Sequence, residues 1–152
     1  MINLSLKPTD SIFKDEDGHI IKIDKTIFDE TLKGRRIVVE EHWFPPKRDD
    51  LGLKGTHWFC GYVEVKPTDK AYKFIKDLDD CYPEVNMIFP SAPSEINFVD
   101  SLDWLGDDET LFVGFDTLHP FCEKLTKSEV INATKLMVIS LMQYERSEND
   151  DS

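Results

Sequence analysis

An aspartate and a histidine stand three residues apart where an apolar run of the chain ends, and this pair of residue types can do acid–base or metal chemistry. In a loop after a strand, Asp116 and His119 can turn into one cleft. Asp116 would then orient His119 as a general base, or both would bind a divalent metal ion. His57, His42 and Glu41 are further candidates for such a site. The competing interpretation is that Asp116 caps a turn and that His119 is a loop residue.

A cysteine with a histidine nearby could be a thiol nucleophile with its base. Cys60 lies three residues after His57, within one apolar aromatic run. Residues three apart in a strand point to opposite faces of a sheet, which argues against this pairing. We therefore expect Cys60 to be a small buried hydrophobic residue.

Acidic clusters with a neighbouring tryptophan are candidates for contact with a protein partner. Exposed aromatic side chains often anchor protein interfaces, and clustered carboxylates attract basic surfaces. The alternative is that the carboxylates lie in solvated loops and that the tryptophan is buried under one of them. The candidate contact residues are Asp77, Asp79, Asp80, Trp104, Asp107, Asp108 and Glu109.

The composition predicts a globular protein with a strongly acidic surface. The chain has 152 residues, of which 40% are hydrophobic, enough for one domain with a core. A formal net charge of −12 repels nucleic acid and anionic membranes at long range. We therefore expect a protein partner with a basic surface, no direct nucleic-acid binding and no membrane. The charge is also explained by solubility alone.

The three cysteines do not form a recognisable framework. They are an odd number without CxxC spacing, which argues against a disulfide scaffold and a four-ligand zinc site. The N-terminal residues lack the features of a signal peptide, and no apolar run has the ~18 residues that a membrane span needs. We expect a reduced protein of the cytoplasm, with no cofactor and no bound metal. The chain also contains no P-loop, GxGxxG, HExxH or GxSxG motif.

Period-two alternation and turn signals predict a series of strands. An acidic turn at 15–18 joins two of them in a hairpin, and its spacing does not fit an EF-hand. A second turn is expected at 33–35, and charged or acidic loops at 47–55 and 106–108. The predicted strands are 2–6, 12–13 with 19–23, 37–43, 57–65, 85–89, 96–99 and 110–116.

The sequence also predicts two helices, one between the strands 57–65 and 85–89 and one after the last strand. Thr68 is a possible N-cap for a short helix that ends near Asp79. Thr126 and Glu129 have the spacing of a capping box, and an apolar stripe follows them to Tyr144. The expected fold is a single α+β domain at 1–146, with a mostly antiparallel sheet, the C-terminal helix packed on one face and one shorter helix. An acidic, disordered tail is expected at 147–152.

Two aromatic runs, 57–65 and 111–119, each contain a central glycine. A glycine inside a strand indicates a bulge or the close approach of another backbone or a ligand. Together with the closing helix, the runs resemble a widespread group of small uncharacterised phage and prophage proteins. That group has Asn/Cys-Gly-Tyr-Val, later Gly-Phe-Asp-x-x-His, and a C-terminal helix. The resemblance covers about residues 55–144 and implies a phage setting in the cytoplasm of a host cell.

The chain departs from that group at two histidine motifs. The group often has His-Pro after the first run, where this chain has residues 67–70, Pro-Thr-Asp-Lys. It often has His-Gly-Gly in the middle, where this chain has residues 87–91, Met-Ile-Phe-Pro-Ser. If those histidines belong to a site in relatives, the site is incomplete here. The resemblance carries no activity.

Two functions follow from the sequence. The first is an acidic phage-type accessory protein that binds a host or phage protein, for example as an inhibitor of a defence or nucleic-acid enzyme. The second is a small metal-dependent or acid/base hydrolase that uses Asp116 and His119, with His57 or His42 as an additional residue.

Overall fold

The computed structural model describes residues 11–44, 56–77, 82–103, 109–118 and 124–147. These residues form six strands and three helices. In chain order they are β1 (Ser11–Lys14), β2 (Ile20–Leu32), β3 (Arg35–Phe44), β4 (Thr56–Val65), α1 (Lys70–Lys76), α2 (Tyr82–Val85), β5 (Ile96–Asp100), β6 (Leu111–Asp116) and α3 (Lys127–Ser147).

The six strands form one sheet in the order β1-β2-β3-β4-β6-β5, and each pair of neighbours is antiparallel. With α3 packed on one face, this architecture confirms the predicted α+β fold class. The β5–β6 connection and the β2–β3 turn lie at one end of the sheet. The β1–β2 turn and the start of β5 lie at the other end.

The main core lies between the sheet and α3. Apolar residues of the central strands face the helix because side chains alternate along a strand. They meet Val130, Met137, Val138 and Leu141, all fully buried. The capping box is confirmed, since Glu129 N–H donates to Thr126 Oγ1 at 3.2 Å and Thr126 N–H donates to Glu129 Oε1 at 3.1 Å.

The opposite face of the sheet, which we call the distal face, carries a second and smaller cluster. Val38, Tyr62, Phe112 and Leu102 are buried there, with Cys60 and Phe98 packed against them. Leu102 comes from the chain that follows β5, so this connection covers part of the distal face.

The β2–β3 hairpin sets the register of the sheet. Lys33 and Gly34 both have positive φ, at 52° and 80°, as a tight two-residue turn of this kind requires. The predicted turn at 33–35 is therefore confirmed. Strand β2 runs on to Leu32, far beyond the predicted end at residue 23, and contains a register shift between Thr26 and Phe28.

The first helix starts later than the sequence indicated. Its N-cap is Asp69 and not Thr68, and the helix ends before Asp77, short of Asp79. Asp69 is fixed by a buried bidentate pair with Arg35 and accepts a hydrogen bond from Lys66 N–H at 2.7 Å. The first backbone N–H groups of α1 donate to the C-terminal helix: those of Lys70 and Ala71 bind the Glu145 carboxylate at 2.8 and 2.9 Å.

The predicted strand at 85–89 is wrong. Val85 ends the short helix α2, and the next residues continue in helical turns, with Ile88 N–H donating to Val85 O at 3.0 Å. Val85, Ile88 and Phe89 are buried at spacings of three and four residues. A short apolar run does not distinguish a strand from a buried helical turn, which explains the error.

Several predicted features lie outside the described residues: the strand at 2–6, the loops at 47–55 and 106–108, and all of the predicted tail except Ser147, the last residue of α3. Among the helices of the described residues, none is both long enough and apolar enough to cross a membrane.

Candidate functional site

The distal face carries three of the ionisable candidates that the sequence analysis named, His42, Cys60 and Asp116. Strands β3 and β4 pair Glu40 with Cys60 and His42 with Trp58, so these four side chains share one face. Strand β2 places Asp24 opposite His42, and β6 places Asp116 opposite Cys60. Two adjacent rows of polar side chains therefore cross the face.

His42 is held in one orientation by two neighbours. Its Nδ1 lies 2.6 Å from Asp24 Oδ1, and its ring stacks on Trp58 with centroids 5.2 Å apart and an interplanar angle of 18°. The other ring nitrogen, Nε2, is buried, and among the described residues no group forms a hydrogen bond with it. Among the residues that the structure describes, the Glu40 carboxylate is the charged group nearest to Nε2, with Oε1 at 3.7 Å.

The sequence analysis named His42, together with His57 and Glu41, as a further candidate for a site with Asp116 and His119. The structure brings His42 to Asp24 and Glu40 instead. Glu40 and His42 are two residues apart in a strand and must share a face, so alternation was a signal for this pair. Glu41 points to the other face, where its Oε2 lies 2.7 Å from His57 Nε2.

Asp116 has a structural role in the turn after β6. Its Oδ1 accepts a hydrogen bond from Leu118 N–H at 3.0 Å, and its Oδ2 accepts one from the Asn97 side-chain amide. This is the turn-capping arrangement that the sequence left open as an alternative. His119 lies outside the described residues, so its use with Asp116 stays a prediction.

His57 does not join Asp116. Its ring lies edge-on to Phe59 at 4.9 Å, and Phe59 faces α3. Asp116 lies on the distal face opposite Cys60. The sheet therefore separates these two members of the suggested hydrolase site.

Cys60 is unsuited to nucleophilic catalysis. Burial raises the pKa of its thiol to about 12, and the nearby Asp116 and Glu40 carboxylates contribute in the same direction. The same burial raises the pKa of Tyr62. Because the thiolate is the reactive species, a thiol with this pKa is inert near neutral pH. Cys60 lies on the distal face, whereas His57 and Glu41 lie on the opposite face, as expected for residues three apart in a strand.

The predicted partner-contact residues are only partly described. Asp77 is exposed at the C-cap of α1, and Glu109 is exposed just before β6. Two exposed carboxylates that the sequence analysis did not name lie near Glu109: Asp100 at the end of β5 and Asp103 in the β5–β6 connection. The remaining predicted contact residues lie outside the described residues: Asp79, Asp80, Trp104, Asp107 and Asp108.

The β1–β2 turn also gathers possible metal ligands. One ligand atom each of Asp15, Asp17 and His19 lies within 4.8 Å of the others. Asp15 Oδ1 already accepts hydrogen bonds from Asp17 and His19 N–H, both at 2.9 Å. The His19 bond is the main cause of the lowered pKa of Asp15. The hydrogen bonds of Asp15 stabilise the turn that the sequence predicted here, and this structural role accounts for the acidic cluster.

Comparison of the chain with protein-family models, with curated proteins and with solved structures finds no match.

Proposed function

We propose that this protein is a non-catalytic binding protein that docks an acidic surface onto a basic region of another protein. The net charge of −12 on 152 residues supports the proposal, because a field of this sign speeds encounter with basic partners and repels acidic ones. The inert Cys60 thiol and the separation of His57 from Asp116 remove two catalytic arrangements that the sequence suggested.

The observation that carries the proposal is the acidic character of the β5–β6 connection. Asp100, Asp103 and Glu109 are exposed on the two sides of it, and the sequence adds Asp107 and Asp108 between them. Carboxylates concentrated at one end of a sheet produce a stronger local potential than the same charges spread evenly. This connection is the proposed docking element, with Trp104 in the same segment as an apolar anchor.

Inhibition of a defence or nucleic-acid enzyme is the form of binding that suits this charge. Such enzymes hold the phosphate backbone in a basic groove, and an acidic protein can occupy that groove in place of nucleic acid. The phage setting, in the cytoplasm of a host cell, is supported by the resemblance of the two glycine-centred runs alone. The neighbouring genes are an independent check on it.

Affinity capture from host-cell lysate, followed by mass spectrometry, tests the proposal with two matched variants. The connection variant, named for the β5–β6 connection, combines Asp100→Asn, Asp103→Asn and Glu109→Gln. The control variant combines Glu16→Gln, Asp17→Asn and Glu95→Gln, three exposed carboxylates at the opposite end of the sheet. The two variants therefore have the same net charge.

We expect the parent and the control variant to retain the same partner at low ionic strength and the connection variant to lose it. The partner should also elute as salt rises, since the Debye length falls from about 10 Å at 0.1 M to about 3 Å at 1 M. Equal retention by all three proteins, or no partner at low ionic strength, would contradict the proposal.

A further inference from the structure

The buried Nε2 atom of His42 is a polar atom for which the fold supplies no hydrogen bond among the described residues. The His42 side chain is only 13% exposed, and that of Glu40 only 5%. A buried polar atom without a partner costs free energy, so such an atom in a native protein calls for a ligand, an ion or a water molecule.

The contact with Asp24 determines what Nε2 can bind. In the 2.6 Å contact the Asp24 carboxylate is the acceptor, so Nδ1 carries a proton and donates a hydrogen bond to Asp24 Oδ1. In the neutral imidazole, Nε2 then presents a lone pair. A carboxylate that holds the far nitrogen in this way is the usual companion of a metal-binding histidine, because it fixes the tautomer and raises the basicity of the ligating nitrogen. The Trp58 ring stacked on His42 adds a steric constraint on the ring plane.

The Glu40 carboxylate is at the distance expected of a second ligand. Its Oε1 is 3.7 Å from Nε2. Bonds of about 2.1 Å would place two ligand atoms of a tetrahedral Zn²⁺ about 3.4 Å apart, so a movement of about 0.3 Å completes the geometry. A bridging water with hydrogen bonds of about 2.8 Å would need an angle of about 83° between them, far below the tetrahedral value. The separation therefore suits an ion better than a water bridge.

We propose that His42 Nε2 and the Glu40 carboxylate bind a divalent transition-metal ion of the zinc class, with Asp24 as the residue that holds the imidazole. One imidazole nitrogen and one carboxylate oxygen form a donor set that suits Zn²⁺ or Co²⁺ better than Ca²⁺ or Mg²⁺. The two protein ligands would leave two positions of a tetrahedral ion to water. This site is separate from the acidic β5–β6 connection and does not depend on the docking function.

Titration of the purified protein with Co²⁺, followed by competition with Zn²⁺, tests the site directly. We expect one saturable Co²⁺ site with visible d–d absorption, displaced by Zn²⁺. His42→Ala should abolish it, and Asp24→Asn should weaken binding by about 10- to 100-fold, because Asp24 acts only through the imidazole. Zn²⁺ should raise the Tm of the parent and leave the Tm of the His42→Ala variant unchanged.

The other histidines provide matched controls. His57→Ala should leave Co²⁺ binding unchanged, since His57 Nε2 is already paired with Glu41 on the opposite face. His19→Ala tests the cluster at the β1–β2 turn. Loss of the site with either of these variants, or its persistence in His42→Ala, would overturn the proposal.

A measurement on the unaltered protein covers the case in which His42→Ala fails to fold. Long-range ¹H–¹⁵N spectra of the imidazoles report which ring nitrogen carries a proton. We expect Zn²⁺ to shift the Nε2 resonance of His42 in the parent. A His42 Nε2 resonance that Zn²⁺ leaves in place would refute the site.

Discussion

Gly61 in β4 lies directly under Thr134 of α3: a Cβ atom added at Gly61 would be 2.5 Å from Thr134 Oγ1. The same atom would be 2.6 and 2.7 Å from two carbons of the Phe115 ring. Thr134 is fully buried, and its hydroxyl donates to Val130 O at 2.7 Å within the helix. The absence of a side chain at Gly61 is therefore what lets α3 approach the sheet.

Gly61→Ala is expected to destabilise the protein by ~1–3 kcal/mol, the usual cost of overpacking a well-packed core. Urea denaturation measures the change in the free energy of unfolding. The double variant with Thr134→Ala serves as the control, because it removes one of the atoms that clash. We expect a favourable interaction energy in this double-mutant cycle. Strict additivity of the two single substitutions would show that the helix does not press on Gly61.

The buried Arg35–Asp69 pair joins the β2–β3 turn to the N-cap of α1. The two side chains are 9% and 7% exposed, and their bidentate contact raises the pKa of Arg35. Removal of Asp69 takes away the hydrogen-bonded partner of a buried guanidinium and leaves only the Glu145 and Glu64 charges near it. We therefore expect Asp69→Ala to cost up to about 3–5 kcal/mol in the free energy of unfolding.

The neighbouring pair supplies the matched control. Arg36 contacts Asp29 at 2.7 Å, but both side chains are about one third exposed. Asp29→Ala should therefore cost no more than about 1 kcal/mol. Equal costs for the two substitutions would mean that burial of the Arg35–Asp69 pair has no energetic consequence.

The sequence predicts the sheet well where alternation is regular and turn residues are distinctive. Strands β3, β4, β5 and β6, and the capping box of α3, follow from local signals that the tertiary fold respects. The glycine-centred runs predicted a bulge or the close approach of another backbone or a ligand, whereas most of the groups that approach are side chains. The groups that approach are Thr134 and Phe115 at Gly61, and the Tyr62 ring together with Gly61 O at Gly114.

The errors arise where local signals are ambiguous or interrupted. The predicted strand ended at residue 23 because polar residues such as Asp24 and Asp29 follow it. The register shift in β2 also interrupts the alternation of apolar and polar residues that would have indicated a longer strand. The apolar run at 85–89 fits a strand as well as it fits the helical turns that the structure contains. The Asp69 N-cap is favoured by a tertiary contact with Arg35, which no local pattern contains.

The candidate site at His42 depends on the same register shift. From Leu32 to Phe28 the pairing of β2 with β3 follows one register, which would continue to place Asp24 opposite Trp43 on the α3 side. The shift between Thr26 and Phe28 moves Asp24 by one position, opposite His42 on the distal face. Sequence alternation can therefore find Glu40 with His42, but it cannot find Asp24 without knowledge of the bulge.

The raised pKa of Cys60 predicts how stability changes in alkaline solution. An unfolded thiol ionises near its model value of 9.0, whereas burial raises the folded pKa to about 12. The contribution of Cys60 to stability is therefore fully present below about pH 9 and is lost as pH rises toward 12. Urea denaturation between pH 7 and pH 10 should show that the free energy of unfolding falls more steeply with pH in the parent than in the Cys60→Ser variant.

The reactivity of Cys60 tests the same pKa without unfolding the protein. In a Cys81→Ser, Cys122→Ser background, Cys60 is the single thiol of the chain. A shift from 9.0 to about 12 lowers the thiolate fraction at pH 8 by about a thousandfold. We therefore expect a disulfide reagent such as DTNB to label the folded protein about a thousandfold more slowly than the same protein in urea. Rates within tenfold of each other would mean that the distal face leaves Cys60 solvated, and the inert-thiol argument against catalysis at Cys60 would then fail.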